Sequence, residues 1–277
     1  MPEAGGRREV AELLRRYGVT PRRSLGQHFL VDPNLVAKLV RLTEGQPGDK
    51  VLEVGVGTGT LTRALAEAGY QVRAYEVDHR LGPLLSETLG DLPNVDLRFE
   101  DALAADLPHS LREGPWTMVS NLPYNVGTPL LLTLLMEAPQ VDRMVVMVQR
   151  EVAERLVAST GTRNYGVPSV VAQLFAEVRA AFHVPPQVFL PPPRVASTVV
   201  VLQRSGLPVP EAAGRAVQIA ATGFRQRRKM LRSSLRGALG HLESVLSGAG
   251  VPLEARAEAV SPQQYLEIAR AEAAHAR

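Results

Sequence analysis

The sequence has no cysteine, only six histidines and one tryptophan among its 277 residues, and no long apolar run. Without cysteine the chain cannot form disulfide bonds, thiolate metal sites or a thiol nucleophile. The histidines are scattered without a metal-ligand spacing, so we expect no metal site. No apolar run approaches the roughly 20 residues that a membrane-spanning helix needs, and the N-terminus lacks the apolar region of a secretory signal. We therefore expect a cytoplasmic protein with no membrane partner.

The charge is unevenly distributed, although the whole chain carries a formal net charge of only +3. Residues 1–23 contain six arginines and three glutamates, and residues 204–236 contain eight basic side chains and one acid. Residues 24–203 between them are mildly acidic. A concentrated basic block on an acidic body indicates a polyanionic partner. A solvated surface helix gives the same pattern, and charge alone does not separate the two interpretations.

Short apolar strands alternate with amphipathic helices along most of the chain. Two further β-rich stretches, residues 178–184 and 198–203, are expected to close the sheet as a hairpin-like pair. Strands that alternate with helices predict an α/β fold with a Rossmann-like, doubly wound sheet. The predicted strands of the alternating part are residues 50–54, 72–77, 95–99, 116–120 and 142–148.

A Pro- and Gly-containing stretch at residues 205–210 has the composition of a linker. Only helical patterns follow it, at roughly residues 211–222, 227–239, 241–248 and 262–274. We therefore predict a basic N-terminal extension at residues 1–23, a catalytic domain at residues 24–204 and a small all-helical domain at residues 205–277.

A glycine-rich turn, Gly55-Val-Gly57-Thr-Gly59, follows the first predicted strand. Glycines at such a turn let the backbone approach a ligand closely. A nicotinamide fingerprint needs its third glycine at position 60, where threonine stands. Glu76 ends the second strand about 20 residues after the first glycine, where an acid holds ribose hydroxyls in several nucleotide-binding folds.

Asp101 follows the third predicted strand. A carboxylate at this place can accept a hydrogen bond from an adenine amino group, although on its own it is more typical of a helix N-cap. The glycine turn, Glu76 and Asp101 all lie at the carboxyl ends of consecutive parallel strands, where ligands bind in open α/β sheets. Their joint occurrence predicts a nucleotide-like cofactor.

The fourth predicted strand ends at Asn121-Leu122-Pro123-Tyr124. An adenine N6 amine is a poor nucleophile because its lone pair is delocalised into the ring, and two hydrogen-bond acceptors would favour the pyramidal, reactive geometry. Asn121 supplies one acceptor, and the peptide oxygen of Leu122 or Pro123 supplies another. Tyr124 can stack on the base. These residues are also typical of a plain strand-end turn, but their place in this sheet favours the chemical interpretation, in which positioning carries most of the rate.

Six stretches at separate places in the chain occur together. They are residues 27–30, 52–62, Glu76, residues 100–103, 121–130 and 188–197. In combination they resemble the rRNA adenine N6,N6-dimethyltransferase family over about residues 24–240.

The resemblance implies that the cofactor is S-adenosylmethionine. Gln27 and Leu30 would touch its methionine end, Glu76 its ribose and Asp101 its adenine. Asn121 and Tyr124 would face the target amine, and Phe189 would form the second aromatic wall of the slot for the target base. The full set implied for the cofactor site is Gln27, His28, Leu30, Glu53, Gly55, Gly57, Gly59, Glu76, Asp101, Ala102 and Asn121.

The resemblance also implies the substrate, two adjacent adenines in a hairpin loop near the 3′ end of small-subunit rRNA, within the immature small ribosomal subunit. We expect a monomer. Two alternatives stay open at this point: a large-subunit rRNA adenine N6-methyltransferase of the macrolide-resistance type, and a non-catalytic ribosome-assembly factor. A DNA adenine or protein glutamine methyltransferase fits less well, because no base-reading domain is found and the basic block favours RNA.

The basic block is predicted to lie on the helix at residues 227–239 and to contact rRNA phosphates. Four of its cations recur at i, i+4, i+7 and i+11, which would place them on one helical face: Arg225, Lys229, Arg232 and Arg236. An apolar stripe of Leu231, Leu235 and Leu239 would lie beside them. The predicted RNA contacts are Arg225, Arg227, Arg228, Lys229, Arg232 and Arg236.

Overall fold

A computed structural model describes residues 6–206 and 209–275. The chain divides into two compact units, the first made of Met1–Ala153 and Arg179–Gln203 and the second of Glu154–Val178 and Arg204–Arg277. The predicted domain boundaries differ from this division, because residues 154–178 belong to the second unit and the described part of the predicted N-terminal extension belongs to the first. Residues 1–5 of that extension, residues 207–208 of the predicted linker and residues 276–277 lie outside the described residues.

Nine strands form two sheets in the described part of the chain. A seven-stranded sheet has the order β4-β3-β2-β5-β6-β9-β7, and β1 pairs with β8 in a separate ribbon. Strands β2 to β6 pair in parallel, while β9 runs antiparallel to β6. The strands are β1 (Phe29–Leu30), β2 (Lys50–Val54), β3 (Gln71–Tyr75), β4 (Val95–Arg98), β5 (Trp116–Asn121), β6 (Val141–Gln149), β7 (Glu177–Val184), β8 (Phe189–Leu190) and β9 (Ser197–Gln203).

The helices alternate with the parallel strands, as predicted, and then continue alone to the end of the described chain. The expectation of a Rossmann-like α/β fold is confirmed. The helices are α1 (Arg7–Arg16), α2 (Pro33–Leu42), α3 (Thr60–Glu67), α4 (Gly82–Leu89), α5 (Leu107–Ser110), α6 (Gly127–Glu137), α7 (Arg150–Leu156), α8 (Val167–Phe175), α9 (Ala213–Arg225), α10 (Leu231–Ser234), α11 (Leu242–Gly248) and α12 (Pro262–His275).

The core of the first unit follows directly from the sequence pattern. Strand β2 is buried at four of its five positions and β6 is buried continuously from Met144 to Val148, as expected of strands covered by helices on both faces. Helix α2 begins where the sequence predicts, because Asp32 Oδ1 accepts hydrogen bonds from the backbone of Asn34 and Leu35 and Pro33 occupies the first helical position. None of the helices at residues 6–206 and 209–275 combines the length and apolar character needed to cross a bilayer.

The second unit packs its helices around two buried tyrosines. The Tyr165 hydroxyl donates to the Val260 carbonyl at 2.8 Å, and the Tyr265 hydroxyl donates to the Ala257 carbonyl at 2.8 Å. These bonds satisfy the polar ends of two large side chains that are otherwise fully enclosed. The unit therefore has a core of its own.

The predicted helix at residues 227–239 is wrong. Helix α9 ends at Arg225, and the next helix, α10, has only four residues. Between them Met230 forms an antiparallel bridge with Arg256, and the Leu231 N–H donates to the Ala255 carbonyl at 2.7 Å. Gly237 then has a φ of +81°, which ends any further helix. The predicted apolar stripe at positions 231, 235 and 239 is buried, but its cations do not share one helical face.

Candidate active site

A cleft of about 1140 Å³, counted with its open mouth, lies in the first unit at the carboxyl ends of the parallel strands. The strand order reverses between β2 and β5, and this switch point is where open α/β sheets bind their ligands. Most of the residues predicted for cofactor and substrate line this cleft. They are Gln27, His28, Leu30, Glu53, Gly55, Gly57, Glu76, Asp101, Ala102, Asn121, Leu122, Pro123 and Tyr124.

The glycine turn brings bare backbone to the floor of the cleft. Gly55 has a φ of +86°, and a Cβ placed there would lie 3.0 Å from the Pro123 ring. Gly57 has a φ of +60°, and its Cβ would lie 3.0 Å from the Phe29 ring. Both positions therefore need glycine for backbone conformation and for space. Gly59 is not among the residues that line the cleft, and a Cβ there would meet Thr88 at 3.0 Å, so its visible role is packing.

Glu76 fixes the turn as well as lining the cleft. One of its carboxylate oxygens accepts from the Gly57 N–H at 2.9 Å, and the other accepts from the Asp78 N–H at 2.9 Å. Burial raises the pKa of Glu76, and these backbone donors oppose that rise. Glu76 is only 5% exposed, so the protein and not solvent sets the position of its carboxylate.

Glu53 is a second carboxylate of the cleft, and it is more deeply buried, at 1% exposed. Its Oε2 has no hydrogen-bond partner among the described residues. The pKa of Glu53 is raised to about 8, mainly by loss of hydration on burial and also by the Glu76 carboxylate, while the Thr62 hydroxyl opposes the rise. At neutral pH this side chain is therefore largely protonated in the folded protein.

We expect Glu53→Gln to flatten the dependence of stability on pH. The folded-state pKa is about 8 and the ordinary value is 4.5, so between these values the unfolded chain releases a proton that the folded protein keeps. Stability of the wild type therefore falls as pH rises through that window, by about 1.4 kcal/mol for each pH unit crossed. Urea unfolding at pH 5 and pH 8.5 measures this loss. The matched control is the exposed Glu137→Gln, and an identical loss in wild type and Glu53→Gln would contradict the expectation.

Gln27 is held at the cleft by contacts that no sequence motif indicates. Its side-chain Oε1 accepts from the Arg22 N–H at 2.8 Å, and its Nε2 donates to Asp78 Oδ2 at 2.9 Å. The Arg80 guanidinium holds Asp78 in turn, with Nε donating to Oδ1 at 2.9 Å, and this contact lowers the pKa of Asp78 to about 2. Asp78 and Arg80 are positioning residues that sequence reasoning missed. Their only sequence signal is an Asp-x-Arg pair just after Glu76.

The far end of the cleft combines a carboxylate with apolar surface. Asp101 Oδ1 accepts from the Leu103 N–H at 2.9 Å, as in the turn that its N-cap interpretation predicts, and the same carboxylate lines the cleft. Val77 and Leu103 also line it, and each is 45% exposed despite being a large apolar side chain. No motif in the sequence marks Val77. The two exposed apolar side chains could pack against a flat aromatic ring, and the Asp101 carboxylate could accept a hydrogen bond from a polar group at the edge of that ring.

The turn after β5 presents its acceptors in a defined way. Asn121 Nδ2 donates to the main-chain oxygen of His28 at 3.1 Å, which fixes the amide and directs its carbonyl oxygen elsewhere. The Pro123 oxygen accepts from the Val126 N–H at 3.2 Å and the Gly127 N–H at 2.9 Å. Because these bonds occupy that oxygen, the peptide oxygen of Leu122 is the better second acceptor of the two that the sequence left open.

Tyr124 lies beside His28, with ring centroids 5.3 Å apart and planes tilted by 36°. Its hydroxyl is hydrogen-bonded to Ser197 Oγ at 2.6 Å, and burial raises the pKa of Tyr124, so the phenol keeps its proton. Phe189 does not line the cleft, because it is fully buried in the core of the first unit and pairs with Leu30 between β8 and β1. Its part in a base slot stays a prediction.

The predicted RNA-binding cations lie in the second unit and fall into two groups. Arg227 Nε donates to Glu258 at 2.6 Å, and its guanidinium also donates to the carbonyls of Thr162 and Arg163. The other five are exposed and lie at the end of α9, on the turn before α10, within α10 and just after it. We call them the exposed cations: Arg225, Arg228, Lys229, Arg232 and Arg236.

Known proteins are similar to this chain over almost its full length. The family model "Ribosomal RNA adenine dimethylase" matches residues 18–273. The "Ribosomal RNA small subunit methyltransferase A" of Phenylobacterium zucineum is 44% identical over 263 residues, covering 95% of this chain and 92% of that protein. The protein of the same name from Thermotoga maritima is 40% identical over 260 residues, covering 94% and 88%.

Solved structures with the same fold include an rRNA methyltransferase and a dimethyladenosine transferase. The 23S rRNA methyltransferase ErmE has a TM-score of 0.69 at 29% identity, covering 88% of this chain and 99% of that one. A dimethyladenosine transferase from Plasmodium falciparum has a TM-score of 0.72 at 23% identity, covering 87% and 96%.

Proposed function

This chain belongs to the ribosomal RNA adenine dimethylase family, and we propose that it dimethylates the N6 amines of two adjacent adenines near the 3′ end of small-subunit rRNA. We further propose that it acts as a cytoplasmic monomer on immature small subunits, with S-adenosylmethionine as the methyl donor. The observation that carries the proposal is the Asn121–Tyr124 turn, which opens into the same cleft as the glycine turn after β2.

The residues of the cleft fit this cofactor. Bare backbone at Gly55 and Gly57 would accept its methionine end, and the buried, unpaired oxygen of Glu53 lies in the same wall. Glu76 would hold the ribose hydroxyls. Asp101 would accept a hydrogen bond from the adenine amino group, and the exposed side chains of Val77 and Leu103 would pack against the adenine ring. When bound, the cofactor supplies an electrophilic methyl group on a sulfonium.

The residues after β5 would prepare the amine. The Asn121 side-chain oxygen and the Leu122 peptide oxygen would accept its two N–H groups, which favours the pyramidal geometry and turns the lone pair towards the methyl group. Tyr124 would stack on the base and, with its proton retained, would not compete as a base. The amine needs no strong general base, because its proton becomes acidic only after the methyl group has arrived and can then leave to water.

The most informative experiment for this proposal is to determine which ribosomal subunit accepts the methyl group. Tritiated-methyl transfer to unmethylated small subunits, large subunits and deproteinised rRNA would be measured side by side. We expect label in small subunits. Label only in large subunits would favour the macrolide-resistance alternative, and tight binding of small subunits without label would favour a non-catalytic assembly factor.

We expect Glu76→Gln to weaken binding of S-adenosylmethionine by about 10-fold, because hydrogen bonds to a charged acceptor contribute about 1.5–3 kcal/mol. Gln is preferred to Ala because its side-chain oxygen can still accept from one of the N–H groups of Gly57 and Asp78, whereas Ala would leave both without an acceptor. Calorimetry measures the affinity, and Glu100→Gln, an exposed acid of the same cleft, is the control for general loss of charge. NAD should not bind. Unchanged cofactor affinity in Glu76→Gln would rule out the ribose contact.

A further inference from the structure

The loop between β8 and β9 is hydrogen-bonded at both of its ends to residues beside the proposed slot for the target adenine, namely His28 and Tyr124. At one end, His28 Nδ1 donates to the Pro191 carbonyl at 2.8 Å. At the other end, Ser197 Oγ is hydrogen-bonded to the Tyr124 hydroxyl at 2.6 Å, and the Arg150 N–H donates to the Ala196 carbonyl at 3.0 Å. These bonds hold the residues between the anchors close to His28 and Tyr124, which line the cleft.

The middle of this loop presents an apolar side chain to solvent. Pro193 is buried, whereas Arg194 and Val195 are exposed. Val195 is 47% exposed, more than any other large apolar side chain in residues 6–206 and 209–275. A single exposed valine is ordinary on a protein surface. This one differs because three consecutive prolines restrict the backbone before it and a cation stands next to it.

A base that enters a protein pocket must first leave its stack. Unstacking costs a few kcal/mol, and the gap it leaves favours return of the base unless something fills it. Proteins that unstack nucleic acids often insert an apolar side chain at the step they open. A valine suits this task, because its branched Cβ leaves it few rotamers and little conformational entropy to lose.

We propose that Val195 is a wedge that fills the space vacated by the target adenine when that base enters the slot beside Tyr124. The proposal rests on the proposed function, since it presupposes an RNA adenine as the substrate. Val195 is then a positioning residue for base capture. Arg194 beside it gives the loop a charge that suits the phosphates flanking the target.

The test uses the full-length protein and small subunits reconstituted with a synthetic 3′ rRNA segment. One segment is unmodified, and a second carries an abasic nucleotide beside the target adenine, so that the base has less stacking to lose. We expect Val195→Ser to lower single-turnover methyl transfer to the unmodified subunit by about 10-fold and to leave transfer to the abasic subunit near wild type. This factor corresponds to about 1.4 kcal/mol of unstacking that the wedge no longer offsets. Val195→Ile should retain transfer to both.

The control is Met136→Ser, which removes another exposed apolar side chain of the first unit, at the far end of α6. Melting temperature and S-adenosylmethionine affinity should match wild type in all three variants. Equal losses of Val195→Ser on both subunits, or no loss on either, would overturn the wedge while the wild type remained active. A wild type that methylated neither subunit would instead overturn the proposed function, and the wedge with it.

Discussion

Asn121→Ala should lower the turnover of methyl transfer by roughly 10²–10³, the usual cost of deleting one preorganised polar contact to a transition state. The side-chain carbonyl of Asn121 is held in place by the bond from its own Nδ2 to the main chain of His28, so the acceptor is oriented before the substrate arrives. Single-turnover transfer to small subunits measures the loss. Cofactor affinity, followed by calorimetry, should change far less.

Asn125→Ala is the matched control for Asn121→Ala. Its Nδ2 also donates to a main-chain oxygen of the N-terminal segment, that of Ser24 at 3.2 Å. Asn125 lines the cleft as well, but its side chain is exposed and it follows the four residues of the Asn121–Tyr124 turn. We expect its removal to change turnover by less than about 10-fold. If the two variants lost turnover equally, the effect would come from loosening the segment around His28, and Asn121 would have no direct part in the chemistry.

Replacing the five exposed cations by Gln should weaken binding to the rRNA substrate by about 10²-fold at moderate salt, because each cation that neutralises a phosphate releases counterions. The dependence of log K on log salt should flatten by roughly 0.7–0.9 for each phosphate that the variant no longer neutralises. Melting and cofactor affinity should stay near wild type, since none of the five is buried. Titration of small subunits at several salt concentrations measures both quantities.

Arg227→Gln separates charge from structure within the same block. Arg227 bonds Glu258 and two carbonyls of the second unit, so its loss should lower the melting temperature and leave the salt dependence nearly unchanged. If the variant without the five exposed cations bound small subunits with wild-type affinity and wild-type salt dependence, the exposed cations would be only a solvated surface.

The parallel sheet could be predicted because its strands are short apolar runs separated by amphipathic helices. Each of β2 to β6 lies within two residues of its predicted bounds, and the N-cap at Asp32 is local chemistry that the sequence shows directly. The same locality explains the candidate site. The glycine turn, the acids and the Asn121 turn each follow a strand, and parallel strands bring such ends to one edge.

The long-range pairing of the second unit could not be predicted. Leucines at positions 231, 235 and 239 are typical of a helix, yet the backbone of Met230 and Leu231 pairs with residues 255 and 256, some 25 positions later. Helical spacing of apolar residues shows that a segment is buried on one side, and it does not show which partner its backbone takes. Residues 154–178 continue the helical pattern of the catalytic part, so nothing local marks their place in the second unit.

Within the site, the sequence could not predict the features that depend on individual long-range contacts and hydrogen bonds. The choice between the peptide oxygens of Leu122 and Pro123 is decided by two backbone donors from the start of α6. The hydrogen bond between Gln27 and Asp78 joins residues 51 positions apart in the sequence. Phe189 is buried because its strand pairs with β1. None of these has a local signature.

The most direct test of the proposed function is nucleoside mass spectrometry on the rRNA of unmethylated small subunits after incubation with the protein and S-adenosylmethionine. We expect two N6,N6-dimethyladenosines per subunit at adjacent positions near the 3′ end, and almost none with Asn121→Ala over the same time. Methylation of another base, of large-subunit rRNA alone, or of equal extent with Asn121→Ala would contradict it.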